Sequence, residues 1–439
     1  MKEWKKSRFN VRSITKSGEL ILYNSLTGAI GVVPEDEKEI ADTLLKKGIL
    51  NEEIISSVSL ANDLITNGYF VTSDTNEYKQ AAELHKHYFN NEKTLQLIIM
   101  PTEECNFRCV YCYESFLRGT MSQDIIEGIK KLIDQKIGGL ENLFISWFGG
   151  EPTEALEVIY EISEHAMKRC REYGVKYSAG ITSNGYNITP DIFSKLVECE
   201  VRSYQITVDG SITDHDKRRI QKGGGSTYKR IMSNLTSMAK TDQEFKVVLR
   251  VNFDPESYIN MGQFVEDIKE RFHGDQRFFP DFHTIGKWGG DNDDNLVICS
   301  ERDGAQKRYE LFEQTIKLGH DVPFRETLSP GGSVCYAAKP WSIVIGSDGT
   351  LYKCTVALED ERNKVGKLLE NGILEINQDR FDLWITSNET KDEGCQKCFF
   401  RPSCQGAACP LVRLNTGERP CPTDKKHIKK VLTTISGIS

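Results

Sequence analysis

Apolar and polar positions change rhythm twice along this chain. Between about residues 8 and 75, two short strand-like runs, SRFNVRSI and ELILYNSL, precede helical patterns around 37–47 and 58–67, and a further strand, GYFV, follows. That order predicts a small α+β unit over residues 1–78. A polar, helix-forming stretch, TNEYKQAAELHKHYFNNEK (75–93), follows, with the linker set at 79–94, and from Leu95 strand and helix alternate.

LQLIIMPT, LFISWFGGEP, YSAGITSNG, SYQITVDG, KVVLRVNFDP and RFFPDFHTIG each read as a buried strand, with helical stretches between them near 121–137, 154–173, 189–199, 226–240 and 258–272. Six βα units in series over 95–320 predict a parallel sheet, curved or closed, whose functional loops lie beyond the strand C-terminal ends. The polar and glycine-rich residues fall at those ends. After a helix near 302–319 the rhythm stops, and residues 321–439 are rich in cysteine and turn formers. A segment of that kind needs staples, and metal is the choice in a reducing compartment.

Composition narrows the function. A net charge of -8 over 439 residues lacks the basic excess of a nucleic-acid binder, so no nucleic-acid partner is expected. The start, MKEWKKSRFNVRSITKSGEL, has no apolar core of signal-peptide type, and no apolar run is long enough to span a bilayer. The expectation is a cytoplasmic protein without a membrane partner. There a total of 13 cysteines points to metal or redox roles. Three lie within eight residues (Cys105, Cys109, Cys112) and seven follow residue 334 (Cys335, Cys354, Cys395, Cys398, Cys404, Cys409, Cys421). The scattered Cys170, Cys199 and Cys299 read as buried small hydrophobes.

The first three stand directly after the first strand of the repeating region, in Cys105-Asn-Phe-Arg-Cys109-Val-Tyr-Cys112. Thiolates converging from one loop are ligands for zinc or an iron–sulfur cluster. Structural zinc wants four protein ligands, whereas a [4Fe–4S] cube held by three thiolates keeps one iron open. An open iron is a reactive site.

CNFRCVYC resembles the signature of the radical SAM superfamily. The resemblance implies that Cys105, Cys109 and Cys112 hold a catalytic [4Fe–4S] cluster whose open iron chelates S-adenosylmethionine, and that one-electron cleavage of the cofactor yields a 5′-deoxyadenosyl radical. It carries over further residues. Gly149-Gly150-Glu151-Pro152 is similar to the family's GGEP beside the methionyl ammonium; Ser183 and Asn184 match its polar tip near the ribose, and Tyr111 lies beside the adenine. Asp209, with the segment His215 to Arg219, resembles the peptide-modifying branch, where Arg219 pairs with the methionyl carboxylate.

The tail resembles the seven-cysteine SPASM domain, which carries two auxiliary [4Fe–4S] clusters. By that pattern Cys395, Cys398, Cys404 and Cys421 ligate the distal cluster, and Cys335, Cys354 and Cys409 the proximal one, three clusters in all. One departure is that Gln405 to Ala408 place four residues, instead of the usual three, between Cys404 and Cys409. TLSPGGSV before Cys335 offers no fourth proximal ligand, so an open iron there would suit a substrate thiolate; Cys299 or a moved loop is the other candidate. Sulfatase maturases have an aspartate base after the cysteine matching Cys354, where this chain has Thr355.

The whole chain thus reads as α/β, a partial (β/α)6 radical SAM barrel with an N-terminal winged-helix-like module and a C-terminal SPASM domain. The module resembles a precursor-peptide recognition element that takes a leader peptide by β-augmentation. The implied function is thioether crosslinking in a cysteine-containing precursor peptide, as in sactipeptide and ranthipeptide maturases, with flavodoxin or ferredoxin as electron donor. The alternatives are carbon–carbon crosslinking, epimerisation or sulfatase-maturase-like side-chain oxidation, and, from another class, a non-catalytic iron–sulfur or zinc scaffold.

Overall fold

The computed structural model describes residues 2–436 apart from 273, 321 and 388–390. By contacts the chain forms two units that interleave along the sequence. A sheet unit comprises Asn91–Val322 and Pro340–Trp384; a terminal unit comprises Met1–Asn90, Pro323–Lys339 and Ile385–Ser439.

The six runs read as strands are the core of the sheet unit: β1 (Thr94–Ile99), β2 (Asn142–Trp147), β3 (Lys176–Ser183), β4 (Val201–Thr207), β5 (Lys246–Phe253) and β6 (Phe278–Thr284). Each pairs in parallel with the next. Alternation makes the faces unlike. Along β5, Val247, Leu249, Val251 and Phe253 are buried, whereas Val248, Arg250 and Asn252 are only half-buried. Burying such side chains stabilises by about 1.5–3 kcal/mol each. The crossover helices supply matching stripes: Gln123–Lys136 buries Ile126, Ile129, Leu132 and Ile133. Pro190–Glu198 begins where Thr189 accepts from the Ile192 N–H, with Pro190 in the first turn.

The sheet is larger than the sequence pattern suggests. β7 (Ser342–Ile345) pairs in parallel with β1, and β8 (Thr350–Tyr352), β9 (Lys364–Leu368) and β10 (Leu374–Ile376) continue antiparallel, giving the order β6-β5-β4-β3-β2-β1-β7-β8-β9-β10. All four added strands come from the segment that reads as a cysteine-rich tail. Each is at most five residues long, too short to show a period.

The terminal unit holds two three-stranded antiparallel sheets. Glu3–Lys6 lies between Ile49–Asn51 and Phe70–Thr72, and Leu20–Asn24 between Asn10–Ile14 and Ile30–Val33. Leu20, Leu22, Leu44, Leu50, Leu64 and Phe70 share one core with helices Lys38–Lys47 and Ser59–Thr66. The linker forms the helix Glu77–Phe89, capped by Asn76. The last helix, Ile428–Ile435, packs on Asn10–Ile14 and Leu20–Asn24, and fully buried Tyr23 donates to Leu328 O at 2.6 Å. The last helix and the early strands therefore pack together within the terminal unit. Among the described residues no helix is long and apolar enough to cross a membrane.

Candidate functional site

The loop after β1 carries Cys105, Cys109 and Cys112, all free thiols. Cys109 ends a short strand, Phe107–Cys109, that pairs antiparallel with Arg219–Gln221, so Arg219 is the cross-strand partner of Cys109. The Val110 N–H donates to Arg218 O at 2.9 Å, extending the ladder. The loop is thus stitched to the segment after β4, and the arginine singled out by sequence meets the middle cysteine.

The ends of β2 and β3 close in from the other side. Gly149 has φ +120, and a Cβ there would stand 2.3 Å from Thr102 O; at Gly150 it would stand 2.2 Å from Glu104 O. Only glycine lets this turn lie against the cysteine loop. Glu151 is wholly buried, and its carboxylate accepts from the Thr153 N–H and hydroxyl, the Ser183 hydroxyl and the Asn184 N–H, the last at 2.7 Å. Burial pushes this carboxyl above its usual range, while those donors oppose the shift. The carboxylate is therefore engaged in tying the two strand tips together. Asn184 in turn donates to Asn106 Oδ1 at 2.7 Å, inside the cysteine loop.

Tyr111, Asp209 and Arg219 also meet. The Tyr111 hydroxyl donates to Asp209 Oδ2 and accepts from Arg219 Nη1 at 2.8 Å. Hydrogen bonds behind this trio close the circuit. The Asp209 N–H donates to His215 Nδ1 at 3.2 Å, so the proton belongs on Nε2, which faces Thr227 Oγ1 at 3.1 Å; that hydroxyl donates to Arg219 O at 2.8 Å. His215 is fully buried, and desolvation, then the Arg219 charge, holds it down to about 3. Desolvation works against the Arg219 charge too, but Cys109, Tyr111 and Asp209 outweigh it and raise its pKa. Among the described residues the Arg219 Nε is buried without a hydrogen-bond partner.

The sulfurs meet a repeated backbone geometry. Cys105 Sγ accepts from the Phe107 N–H at 3.3 Å, Cys354 from Val356 and Cys398 from Phe400 at 3.4 Å, and Cys112 and Cys404 from the amides of Glu114 and Gly406. In all five the donor is the N–H two residues on. Such donors stabilise the thiolates that ligate an iron–sulfur cluster and tune its potential. Without a metal, burial pushes the Cys112 and Cys404 thiols up to about 12, so a ligand that demands thiolate would have to supply the compensating charge. The donor set fits clusters. Among the described residues no three His, Cys, Asp or Glu side chains gather at the spacing of one metal ion; the ligands of a four-iron cube stand further apart.

Within the terminal unit, Cys395, Cys398, Cys404 and Cys421 line one cavity with Arg401, Arg419 and Lys425, whose Nζ donates to Cys421 Sγ at 3.1 Å. Cys335 donates its N–H to Ala407 O at 3.0 Å, two residues before Cys409. In the sheet unit, buried Cys354 is held by Asn363, which accepts its N–H at 2.9 Å and donates to its carbonyl at 2.7 Å. Cys170 and Cys199 are buried as expected. Cys299 is not: it is half-buried beside the N-cap Ser300, because it precedes a helix instead of lying on a core face.

Sequence reading missed His215 and Thr227 as members of the ring, and also Asn252, whose side chain donates to Tyr111 Oη and Asp209 Oδ1, each at 3.3 Å. It also missed Glu114, whose half-buried carboxyl has one oxygen without a hydrogen-bond partner among the described residues and is pushed up to about 8 by burial and by Glu103 and Glu151. For Asn252 the available signal was the alternation of polar Arg250 and Asn252 with apolar neighbours in KVVLRVNF.

Residues 99–268 match the radical SAM superfamily. The chain carries a radical SAM domain and is a radical SAM enzyme. Such domains use S-adenosylmethionine and a [4Fe–4S] cluster, and the three cysteines lie within the matched stretch. Similar proteins include the cysteine-type anaerobic sulfatase-maturating enzyme of Clostridium novyi (strain NT), 24% identical over 335 residues, which are 71% of this chain and 87% of that one. The mycofactocin maturase MftC of Mycolicibacterium smegmatis is 24% identical over 329 residues, 72% of this chain and 78% of that one. Among solved structures, native anSMEcpe with bound AdoMet and Cp18Cys peptide superposes with a TM-score of 0.57 at 17% identity, covering 78% of this chain and 96% of that chain. Streptococcus suis SuiB bound to S-adenosylmethionine superposes with a TM-score of 0.50 at 16% identity, covering 94% and 97%. These two likenesses establish the radical SAM domain's α/β fold.

Proposed function

We propose that this radical SAM enzyme is a peptide maturase that joins a cysteine sulfur to a carbon of another residue in a ribosomally made precursor. The observation that carries the reading is the set of amide-to-sulfur hydrogen bonds, which recurs at Cys105, Cys112, Cys354, Cys398 and Cys404 and so treats tail cysteines like those of the radical SAM loop. We read residues 321–439 as a SPASM domain. Cys395, Cys398, Cys404 and Cys421 hold one auxiliary cluster, and Cys335, Cys354 and Cys409 contribute three ligands to another. Residues 1–78 serve as a winged-helix-like recognition element for the leader, 79–94 as a linker and 95–320 as the partial barrel. A cytoplasmic flavodoxin or ferredoxin supplies electrons.

When bound, the cluster and S-adenosylmethionine supply a one-electron carbon–sulfur cleavage that yields a 5′-deoxyadenosyl radical. The chain's residues do the positioning. Cys105, Cys109 and Cys112 would hold the cluster; Gly149 and Gly150 bring backbone close; Ser183 and Asn184, fixed by Glu151, would present the polar tip; Tyr111, tied to Asp209 and Arg219, would lie beside the adenine and Arg219 would pair with the cofactor's carboxylate.

Thr355 follows Cys354 where a sulfatase-type enzyme has an aspartate, which favours the thioether over side-chain oxidation. The likeness to a sulfatase-maturating enzyme and to a mycofactocin maturase supports the second reading, radical modification of a peptide or protein side chain by another route. Anaerobic incubation with cysteine-bearing precursor peptides, followed by mass spectrometry, decides between them. Thioether formation removes two hydrogens and consumes a thiol. A product that keeps its free thiol defeats the thioether reading.

A further inference from the structure

The inner face of the sheet holds a polar group that the cofactor residues do not use. Arg250 on β5 and Asp281 on β6 are direct cross-strand partners, as are Asn252 and His283 one step nearer the strand ends. Asn252 reaches the Tyr111 hydroxyl at 3.3 Å, which fixes this face as the one turned toward the cofactor residues, and alternation puts Arg250 on the same face. His283 Nε2 meets Asp281 Oδ2 at 2.7 Å, and Arg308 Nη2 lies 3.8 Å from Asp281 Oδ1.

Asp281, the cross-strand partner of Arg250, is already engaged by His283 and Arg308. Arg250 donates its Nε to Asn252 Oδ1 at 3.1 Å; among the described residues its Nη1 and Nη2 have no hydrogen-bond or ion-pair partner. Burial lowers its pKa below the usual guanidinium range, the mark of a charge short of compensation. A planar fork with both terminal nitrogens free matches a carboxylate in two-point contact.

We propose that Arg250, framed by Asp281, His283 and Arg308, forms a subsite for the carboxylate of an acidic side chain in the peptide substrate. The proposal rests on the peptide-modifying reading above and names a feature of that peptide. The subsite sits one residue pair from Asn252, which reaches Tyr111, so the acidic residue would lie beside the cofactor-binding residues. A merely structural Arg250 would support Asn252 through Nε and show no preference among ligands.

The test uses the anaerobically reconstituted holoenzyme with S-adenosylmethionine present and two capped probes, acetyl-glutamate amide and the uncharged acetyl-glutamine amide, titrated calorimetrically. The wild type should prefer the acid by about tenfold, the scale of a charge-assisted pair. Arg250→Gln should bring the two probes within about twofold, and Arg250→Lys should retain part of the preference. Equal binding of both probes to the wild type overturns the proposal, as does an acid preference that survives in Arg250→Gln. If S-adenosylmethionine alone abolishes binding of the acid, and Arg250→Gln weakens that cofactor by the same factor, the carboxylate belongs to the cofactor and the peptide assignment falls. Failure of the underlying reading shows separately: a protein that keeps the acid preference yet leaves peptides unaltered defeats the peptide source.

Discussion

Arg219 stands directly across a short antiparallel ladder from Cys109. Arg219 is 7% exposed, so its charge acts on the middle cysteine through protein and not through water. The loop that carries the thiols is thus oriented by a partner more than a hundred residues downstream, on the segment that also holds the Tyr111 hydroxyl.

Replacing Cys105, Cys109 and Cys112 together by Ala should lower the iron of the reconstituted protein by about four atoms per chain from about twelve. It should also abolish 5′-deoxyadenosine formation. Chromatography of the nucleoside products checks this, and persistent cofactor cleavage would refute the assignment.

Arg219→Met removes a charged donor while keeping much of the stem. A hydrogen bond to a charged group is worth about 1.5–3 kcal/mol, so S-adenosylmethionine affinity should fall roughly ten- to a hundredfold. Titration of the cluster absorbance with the cofactor reads the change. Unaltered affinity would leave Arg219 a purely structural member of the ring.

His215 is neutral in the folded protein, with its pKa held down to about 3, whereas the unfolded chain protonates it near 6.5. The stability it contributes is whole above pH 6.5 and is lost as pH falls from there toward 3, by about 1.4 kcal/mol per unit. Urea unfolding at pH 7.5 and 5.5 should show the wild type losing about 1.4 kcal/mol more than His215→Gln over that interval. Equal losses would mean that His215 is already charged when folded.

Cys398→Ala combined with Cys404→Ala should remove a further four or so irons per chain. Without the staple, the cavity lined by Cys395, Cys421 and their cationic neighbours should admit protease. Limited proteolysis followed by mass mapping would reveal new cuts after residue 385. Full iron content in the double variant would dissociate these thiols from cluster binding.

Much of the sheet unit was legible because KVVLRVNF, LFISW and their fellows are long enough to alternate and are bounded by turns. β7 to β10 were not, since SIVI, TLY, KVGKL and LEI are short and lie among cysteines and glycines that dominate the local signal. The three-cysteine loop announces itself by spacing alone. The ring through His215 and Thr227 does not, because its members meet only once β4 has brought its following segment back over the loop. Arg250 was visible as a cation inside an apolar run, but what it faces depends on the register with Asp281.

β1 is an inner strand of the finished sheet only because β7, made some 240 residues later, pairs along it. A nascent chain that has emerged as far as the helix Glu301–Lys317 therefore displays an open row of amides and carbonyls on the strand that leads into the thiol loop. Synthesis leaves that flank adhesive until β7 emerges, so fragments ending before residue 342 should clump during expression even though every thiol of the loop is present.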